Sequence, residues 1–294
     1  MANLKDIKRN IKSVKNTQKT TKAMKLVSTA KLKRAEEAAK KSREYAKKLN
    51  EMLSEISESI NKFKVGGSTS RFFETNDNPK VVDILFVTAD KGLCGGFNIQ
   101  TIKRVKSIMA EYEGSSTKVR LRAVGRKGID YFRFQGIDLL EKDIGISSAP
   151  TYEKAQDVIK KTVDDFVNGE CEKVILVHNG YVNMITQEVK QTGLIPVDTI
   201  KIETKDADSM MEIESDEEEK VLDELVRKYF EYNMYYSLID SLAGEHSARM
   251  QAMDNATNNA KEKVKELTIK YNKARQEAIT TELIEIISGM EALN

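Results

Sequence analysis

Apolar residues recur at alternating steps of three and four through the first part of the chain, which predicts one long amphipathic helix. Residues 1–65 contain neither glycine nor proline, so no helix breaker interrupts the pattern. The repeat is apolar at both ends and small or polar in its middle. Its positions are Leu4, Ile7, Ile11, Val14, Gln18, Thr21, Lys25, Ser28, Leu32, Ala35, Ala39, Ser42, Ala46, Leu49, Leu53, Ile56, Ile60 and Phe63.

The last part of the chain keeps the same rhythm, with His246 and Thr257 as its polar members. A repeat of this kind over many turns indicates a left-handed coiled coil. The two helices would be about 90 and 100 Å long at 1.5 Å per residue. Since a folded segment separates them, we expect them to pair antiparallel within one chain; a homodimer through either helix is the alternative. The repeat runs through Leu222, Leu225, Tyr229, Tyr232, Tyr236, Ile239, Ala243, His246, Met250, Met253, Thr257, Ala260, Val264, Leu267, Tyr271, Ala274 and Ala278.

The centre of the chain has a different pattern, in which strand-like and helix-like segments alternate. This order predicts an α/β sheet with Rossmann-like connections. The fold class is therefore α/β with long helical arms, divided into an N-terminal helix (1–65), a central α/β domain (66–205), and an acidic loop with the C-terminal helix (206–294). Strands are predicted at 81–88, 118–124, 174–177 and, as an edge strand, 184–196, and helices at 98–112, from 125 onward, and at 152–167.

Composition excludes several classes of protein. With 40% hydrophobic residues, a mean hydropathy of -0.49 and no long apolar run, the chain is not predicted to span a membrane. Lys+Arg 48 nearly balances Asp+Glu 46, which argues against a uniformly basic nucleic-acid binder. Two distant cysteines suit a reducing compartment. No apolar signal segment is visible near the start, so we expect a cytoplasmic N-terminus.

A glycine-rich stretch after the first predicted strand is the most site-like element. Residues 91–97 lie between a strand and a helix, where phosphate-binding loops occur, but they match neither Gly-x-Gly-x-x-Gly nor a Walker A sequence. We therefore expect a structural turn in which glycine tolerates the backbone angles, with nucleotide binding as the alternative. The residues assigned to this structural loop are Gly92, Cys94, Gly95 and Gly96.

Catalytic and metal sites are not predicted. Cys94 could be a nucleophile only with His178 or His246, the two histidines of the chain, and no local signature supports such a pair. We expect Cys94 to be a small residue packed in a turn and His246 to be buried on the helical repeat. The scarcity of His and Cys also argues against zinc, and no cofactor-binding residue is predicted.

The first fifty residues carry sixteen Lys or Arg side chains and four acidic ones. A basic helix with heptads is typical of basic-zipper DNA readers. Here, however, the basic residues are spread around the helix, so a solvated or partner-facing helix is the preferred interpretation. A basic coiled-coil nucleic-acid-binding or scaffold protein remains the alternative.

The last helix continues beyond its regular repeat. After Ala278, apolar residues cover more than one of its sides, and a helix with this distribution is normally buried on several sides. The segment therefore predicts a bearing surface enclosed by apolar partner surfaces. Its residues are Ile279, Leu283, Ile284, Ile286, Ile287, Met290 and Leu293.

Several stretches together resemble the gamma subunit of F-type ATP synthases. These are residues 11–28, 90–98, 248–260, 271–276 and 279–286. The resemblance implies that the terminal helices form a shaft inside a ring of three alpha and three beta subunits. The central domain would be a foot that binds the epsilon subunit and the c-ring, so membrane contact would be through the c-ring only. It further implies a rotor that performs no bond chemistry, binds no nucleic acid, and lies on the cytoplasmic side of a bacterial inner membrane.

The resemblance also implies roles for individual residues. The bearing within the ring would be formed by Ile279, Leu283, Ile286, Ile287 and Met290. Glu214 is the one residue near the expected c-ring or epsilon contact that matches the family pattern. Contacts to the beta subunit are carried over to Met24, Arg249, Gln276, Thr280 and Glu282.

Overall fold

A computed structural model describes residues 4–63, 70–74, 76, 78–197 and 218–291. Two helices, α1 (Leu4–Phe63) and α5 (Glu218–Glu291), account for both arms. The chain forms two compact units, one of residues 1–29 with 249–294 and the other of residues 30–248. The predicted long helices are confirmed. The division at residues 65 and 205 stays a prediction.

In the first unit, α1 and α5 pair antiparallel within the chain. The hydroxyl oxygens of Thr21 and Thr257 are 2.7 Å apart, and Lys25 Nζ lies 2.6 Å from Asp254 Oδ1. Residue numbers thus rise along one helix as they fall along the other. Of the predicted repeat positions in this part of α1, Ile7 and the polar Thr21 and Ser28 are buried. The structure confirms the intrachain pairing, and no second copy is needed for it.

The second unit contains a five-stranded sheet in the order β3-β2-β1-β4-β5. Strands β1 to β4 are parallel to one another, and β5, which the sequence predicts as an edge strand, lies at the edge of the sheet and pairs antiparallel with β4. The short β3 was missed because its three residues are all charged. The elements are β1 (Val81–Val87), α2 (Phe97–Glu111), β2 (Lys118–Val124), α3 (Arg126–Phe134), β3 (Glu141–Asp143), α4 (Tyr152–Val167), β4 (Lys173–Tyr181) and β5 (Gln187–Ile195), preceded by a 3-10 turn (Ser70–Phe72).

Apolar cores lie on both faces of the sheet. Successive side chains of a strand point to opposite faces, and β1 contributes Leu85 to one core and Phe86 to the other. The first core includes residues of α4 and of α5, among them Phe230. The second includes residues of α2 and α3, among them Phe132. The long helix α5 is therefore part of the core of the α/β domain.

Candidate partner-contact surfaces

The final segment of α5 exposes the apolar side chains that the sequence assigned to a bearing. Every residue from 281 to 290 is exposed. The antiparallel contacts at Thr21 and Lys25 put the start of α1, at Leu4, level with about residue 274. In the described part of the chain, α1 therefore does not reach far enough to cover the segment. The exposed fractions are Ile279 49%, Leu283 54%, Ile286 60%, Ile287 61% and Met290 64%.

Such a surface favours association with a partner. Burying one large aliphatic side chain fully stabilises a complex by about 1.5–3 kcal/mol, and contiguous apolar patches of this kind mark interaction sites. The five residues follow one another at i, i+4, i+7, i+8 and i+11, which is the spacing of a single helical face. Ile284, exposed by 58%, widens this face. A partner surface that covers this face would bury all of them.

Around Met24, the structure adds residues that the sequence interpretation did not name. Met24 is half-buried, and two of the residues after it are exposed: Leu26 by 63% and Val27 by 56%. Leu26 has no special position in the repeat, so periodicity gave no reason to select it. Lys25 is bonded to Asp254, which offsets its charge. Leu26 and Val27 thus add exposed apolar surface beside the exposed Lys22.

The other predicted beta-contact residues differ in accessibility. Gln276, Thr280 and Glu282 are exposed on α5, and the Thr280 hydroxyl donates to the carbonyl of Gln276 at 2.9 Å. Arg249, by contrast, is only 8% exposed, so its side chain offers little surface to another subunit. Glu214 lies outside the described residues. Among the described helices, none is both long and apolar enough to cross a membrane.

The glycine-rich loop between β1 and α2 combines left-handed backbone conformations with a buried cysteine. Gly95 has a φ of +57°, in the left-handed region that favours glycine. The exposed Leu93 adopts the same region, with a φ of +63°. Gly92 and Gly96 lie outside this region. Cys94 is buried, and its sulfur accepts a hydrogen bond from Asn98 Nδ2 at 3.2 Å.

This loop packs against α5. Ala89, Cys94 and Phe97 form one apolar cluster with Ala248. The Asn98 carboxamide oxygen also accepts from the backbone N–H of Ala89 at 2.8 Å, so this donor is already used within the protein. In this arrangement the loop packs against α5, with Cys94 buried in the shared cluster.

Comparison with known proteins identifies similar chains. A family model described as ATP synthase matches residues 3–293. The chain is 66% identical over 235 residues to the ATP synthase gamma chain of Campylobacter curvus and 63% identical to that of Nitratiruptor sp., each match covering 80% of both chains. A chain of the Euglena gracilis mitochondrial ATP synthase structure, which comprises OSCP, F1 and the c-ring, has the same fold, with a TM-score of 0.67 at 17% identity. That alignment covers 99% of this chain and 94% of the other.

Proposed function

The chain belongs to the family of ATP synthase gamma chains, and we propose that it transmits rotation between the membrane c-ring and the catalytic beta subunits. In this function, proton flow turns the c-ring, the α/β domain turns with it, and the paired helices turn inside the ring of alpha and beta subunits. The observation that carries the proposal is the exposed apolar end of α5, which extends past the start of α1. Family membership does not support the alternative of a nucleic-acid-binding or scaffold protein.

Different surfaces of the chain would contact different partner subunits. The apolar segment 279–290 would sit in a sleeve of alpha and beta subunits. Met24 with Leu26 and Val27 on α1, and Gln276, Thr280 and Glu282 on α5, would meet the beta subunits that change conformation. The epsilon subunit and the c-ring would bind the α/β domain. This arrangement makes the chain a peripheral subunit at the cytoplasmic side of a bacterial inner membrane, without catalytic residues or a cofactor of its own.

Substitutions in the exposed apolar end of α5 test the proposed function. Replacing Ile286 and Ile287 with Asp removes two exposed apolar side chains, each of which stabilises the assembly by about 1.5–3 kcal/mol when buried. We expect the double variant to lose alpha and beta subunits when it is purified through a tag from detergent-solubilised native membranes. Thr281→Asp is the matched control, because it adds a charge to the same segment without removing an apolar group.

Three results would contradict the proposal. The first is full recovery of alpha and beta subunits with the double variant. The second is equal loss with Thr281→Asp, which would indicate a general effect of charge. The third is ATP hydrolysis by the purified chain alone, measured beside the intact complex, since the proposed rotor performs no bond chemistry.

A further inference from the structure

A set of polar contacts joins the sheet to both long helices inside the second unit. We call it the polar lock, formed by Asp240 and Tyr236 of α5, His178 of β4, Lys190 of β5 and Arg43 of α1. Asp240 Oδ2 lies 3.1 Å from His178 Nε2 and 2.6 Å from Lys190 Nζ. The Lys190 ammonium also lies 6.0 Å from the centre of the Tyr236 ring, whose hydroxyl accepts from Arg43 Nε at 3.3 Å.

The Asp240 carboxylate is central to the polar lock. It is 1% exposed, and its second oxygen accepts from the backbone N–H of Tyr181 at 3.2 Å. Burial by itself would raise the pKa of Asp240, but the hydrogen bonds and charges of His178 and Lys190 outweigh it and hold the pKa below its ordinary value. A buried carboxylate without such partners would be strongly destabilising. Gly180 leaves the space that this carboxylate occupies, because a Cβ there would overlap it.

The polar lock is directional, whereas the surrounding apolar contacts are not. The free energy of apolar burial depends on the area removed from water and has no preferred direction, so it is the steric fit of the packed side chains that opposes turning there. By contrast, three groups on two different strands approach one carboxylate, so turning α5 about its axis would lengthen several of these bonds at once. Directional bonds of this kind fix the angle of α5 relative to the sheet.

We propose that Asp240 is the positioning residue that prevents α5 from turning against the α/β domain, so that torque passes between them without angular slip. The proposal rests on the rotor function proposed above. The link through Lys190 and Tyr236 to Arg43 extends the same constraint to α1. Both long helices are thereby held to the sheet at one place.

Single-molecule measurement of the assembled complex tests this. The ring is fixed to a surface, the rotor is stalled by a bound non-hydrolysable ATP analogue, and a bead is attached at Gln135→Cys, an exposed position just after α3. Both native cysteines are buried, so labelling is directed to the introduced one. The variance of the bead angle then reports how stiffly the α/β domain is held to the helices.

We expect this variance to increase in Asp240→Ala and Lys190→Met, together with a loss of protons pumped per ATP in vesicles. Asp240→Asn should fall between these variants and the parent, because the amide keeps an acceptor oxygen but loses the charge. Combining Lys190→Met with Asp240→Ala should add little to Asp240→Ala alone, since both remove one shared interaction. Asp223→Asn is the matched control: it removes a carboxylate on α5 that bonds Arg227 of the same helix.

The outcomes separate the two proposals. A parent complex whose bead does not rotate with ATP would overturn the rotor function itself. A rotating parent, with variants that assemble and keep the parental variance, would overturn the role of Asp240. If Asp240→Ala does not assemble, Lys190→Met decides, because it removes one amine from an edge strand. A lower unfolding temperature with unchanged variance would mean that Asp240 contributes to stability only.

Discussion

Gly244 lies where α5 packs closely against the sheet, and replacing it with Ala should destabilise the α/β domain. A Cβ at this position would lie 2.8 Å from the carbonyl oxygen of Asn179 and 3.2 Å from the ring of Phe97. The first distance requires a shift of strand β4 or of the helix, because the atom in conflict belongs to the backbone. Intrinsic helix propensity acts in the opposite direction, as Ala is favoured over Gly by about 0.8–1 kcal/mol.

The steric clash and the helix propensity of Ala together determine how far the free energy of unfolding changes. Overpacking a filled core costs about 1–3 kcal/mol, so we expect a net loss of about 1 kcal/mol once propensity is subtracted. With a urea dependence of about 1–3 kcal/mol per molar, the unfolding midpoint should fall by about 0.3–1 M. The chain has no Trp and ten Tyr. Four of the tyrosines lie between residues 229 and 236 of α5, so tyrosine fluorescence can follow the transition.

Gly289 supplies the control on the same helix. A Cβ there would meet nothing within 4 Å, so Gly289→Ala receives the propensity gain without a clash. We expect its unfolding midpoint to be no lower than that of the parent, with helical circular dichroism unchanged or slightly greater. If Gly244→Ala is at least as stable as the parent, the close approach of α5 to β4 does not restrict this position and the reasoning is refuted.

Three further results are expected. Thr21→Cys combined with Thr257→Cys should form a disulfide within one chain on oxidation, because the two hydroxyls are 2.7 Å apart; covalent dimers on a non-reducing gel would contradict the intrachain pairing. Met24→Lys should leave the complex assembled but lower the protons pumped per ATP, since an ammonium about 4 Å from a partner carboxylate attracts it by about 4 kcal/mol at an effective dielectric of about 20; parental pumping would reject this role. Asp240 contributes stability that is present above its unfolded pKa of about 3.9 and is lost as the pH falls through its lower folded pKa. In acid titrations followed by circular dichroism, the stability difference between parent and Asp240→Asn should therefore shrink below about pH 4, and a constant difference would exclude the linkage.

Periodicity predicted much of the fold because long-range packing and local sequence agree along the two helices. Repeat positions such as Leu32 and Ala35 are buried, and the regular repeat ends at Ala278. The central strands were also visible as apolar runs. The short β3 was not, because its place in the sheet depends on pairing with Arg122 to Val124 rather than on an apolar pattern.

The polar lock could not be predicted from the sequence in the same way. His178 and Asp240 are separated by 62 residues. His178 directly follows the predicted strand 174–177, and Asp240 lies within the predicted coiled-coil helix. The burial of Arg249 was hidden for a related reason: its accessibility depends on the surrounding packing, not on its own position in the repeat. Such residues become apparent only when the elements are placed in three dimensions.

The polar contacts between α1 and α5 also fix the register of the two helices. A slip by one heptad in one direction would set Thr21 against Val264 and Lys25 against Lys261 instead of Asp254, exchanging an ion pair for a repulsion. A slip in the other direction would set Thr21 against Met250. Purely apolar repeats tolerate such shifts, whereas polar groups at repeat positions select a single alignment. Under load, the two helices should therefore not slide along each other, because no neighbouring register offers a second energy minimum.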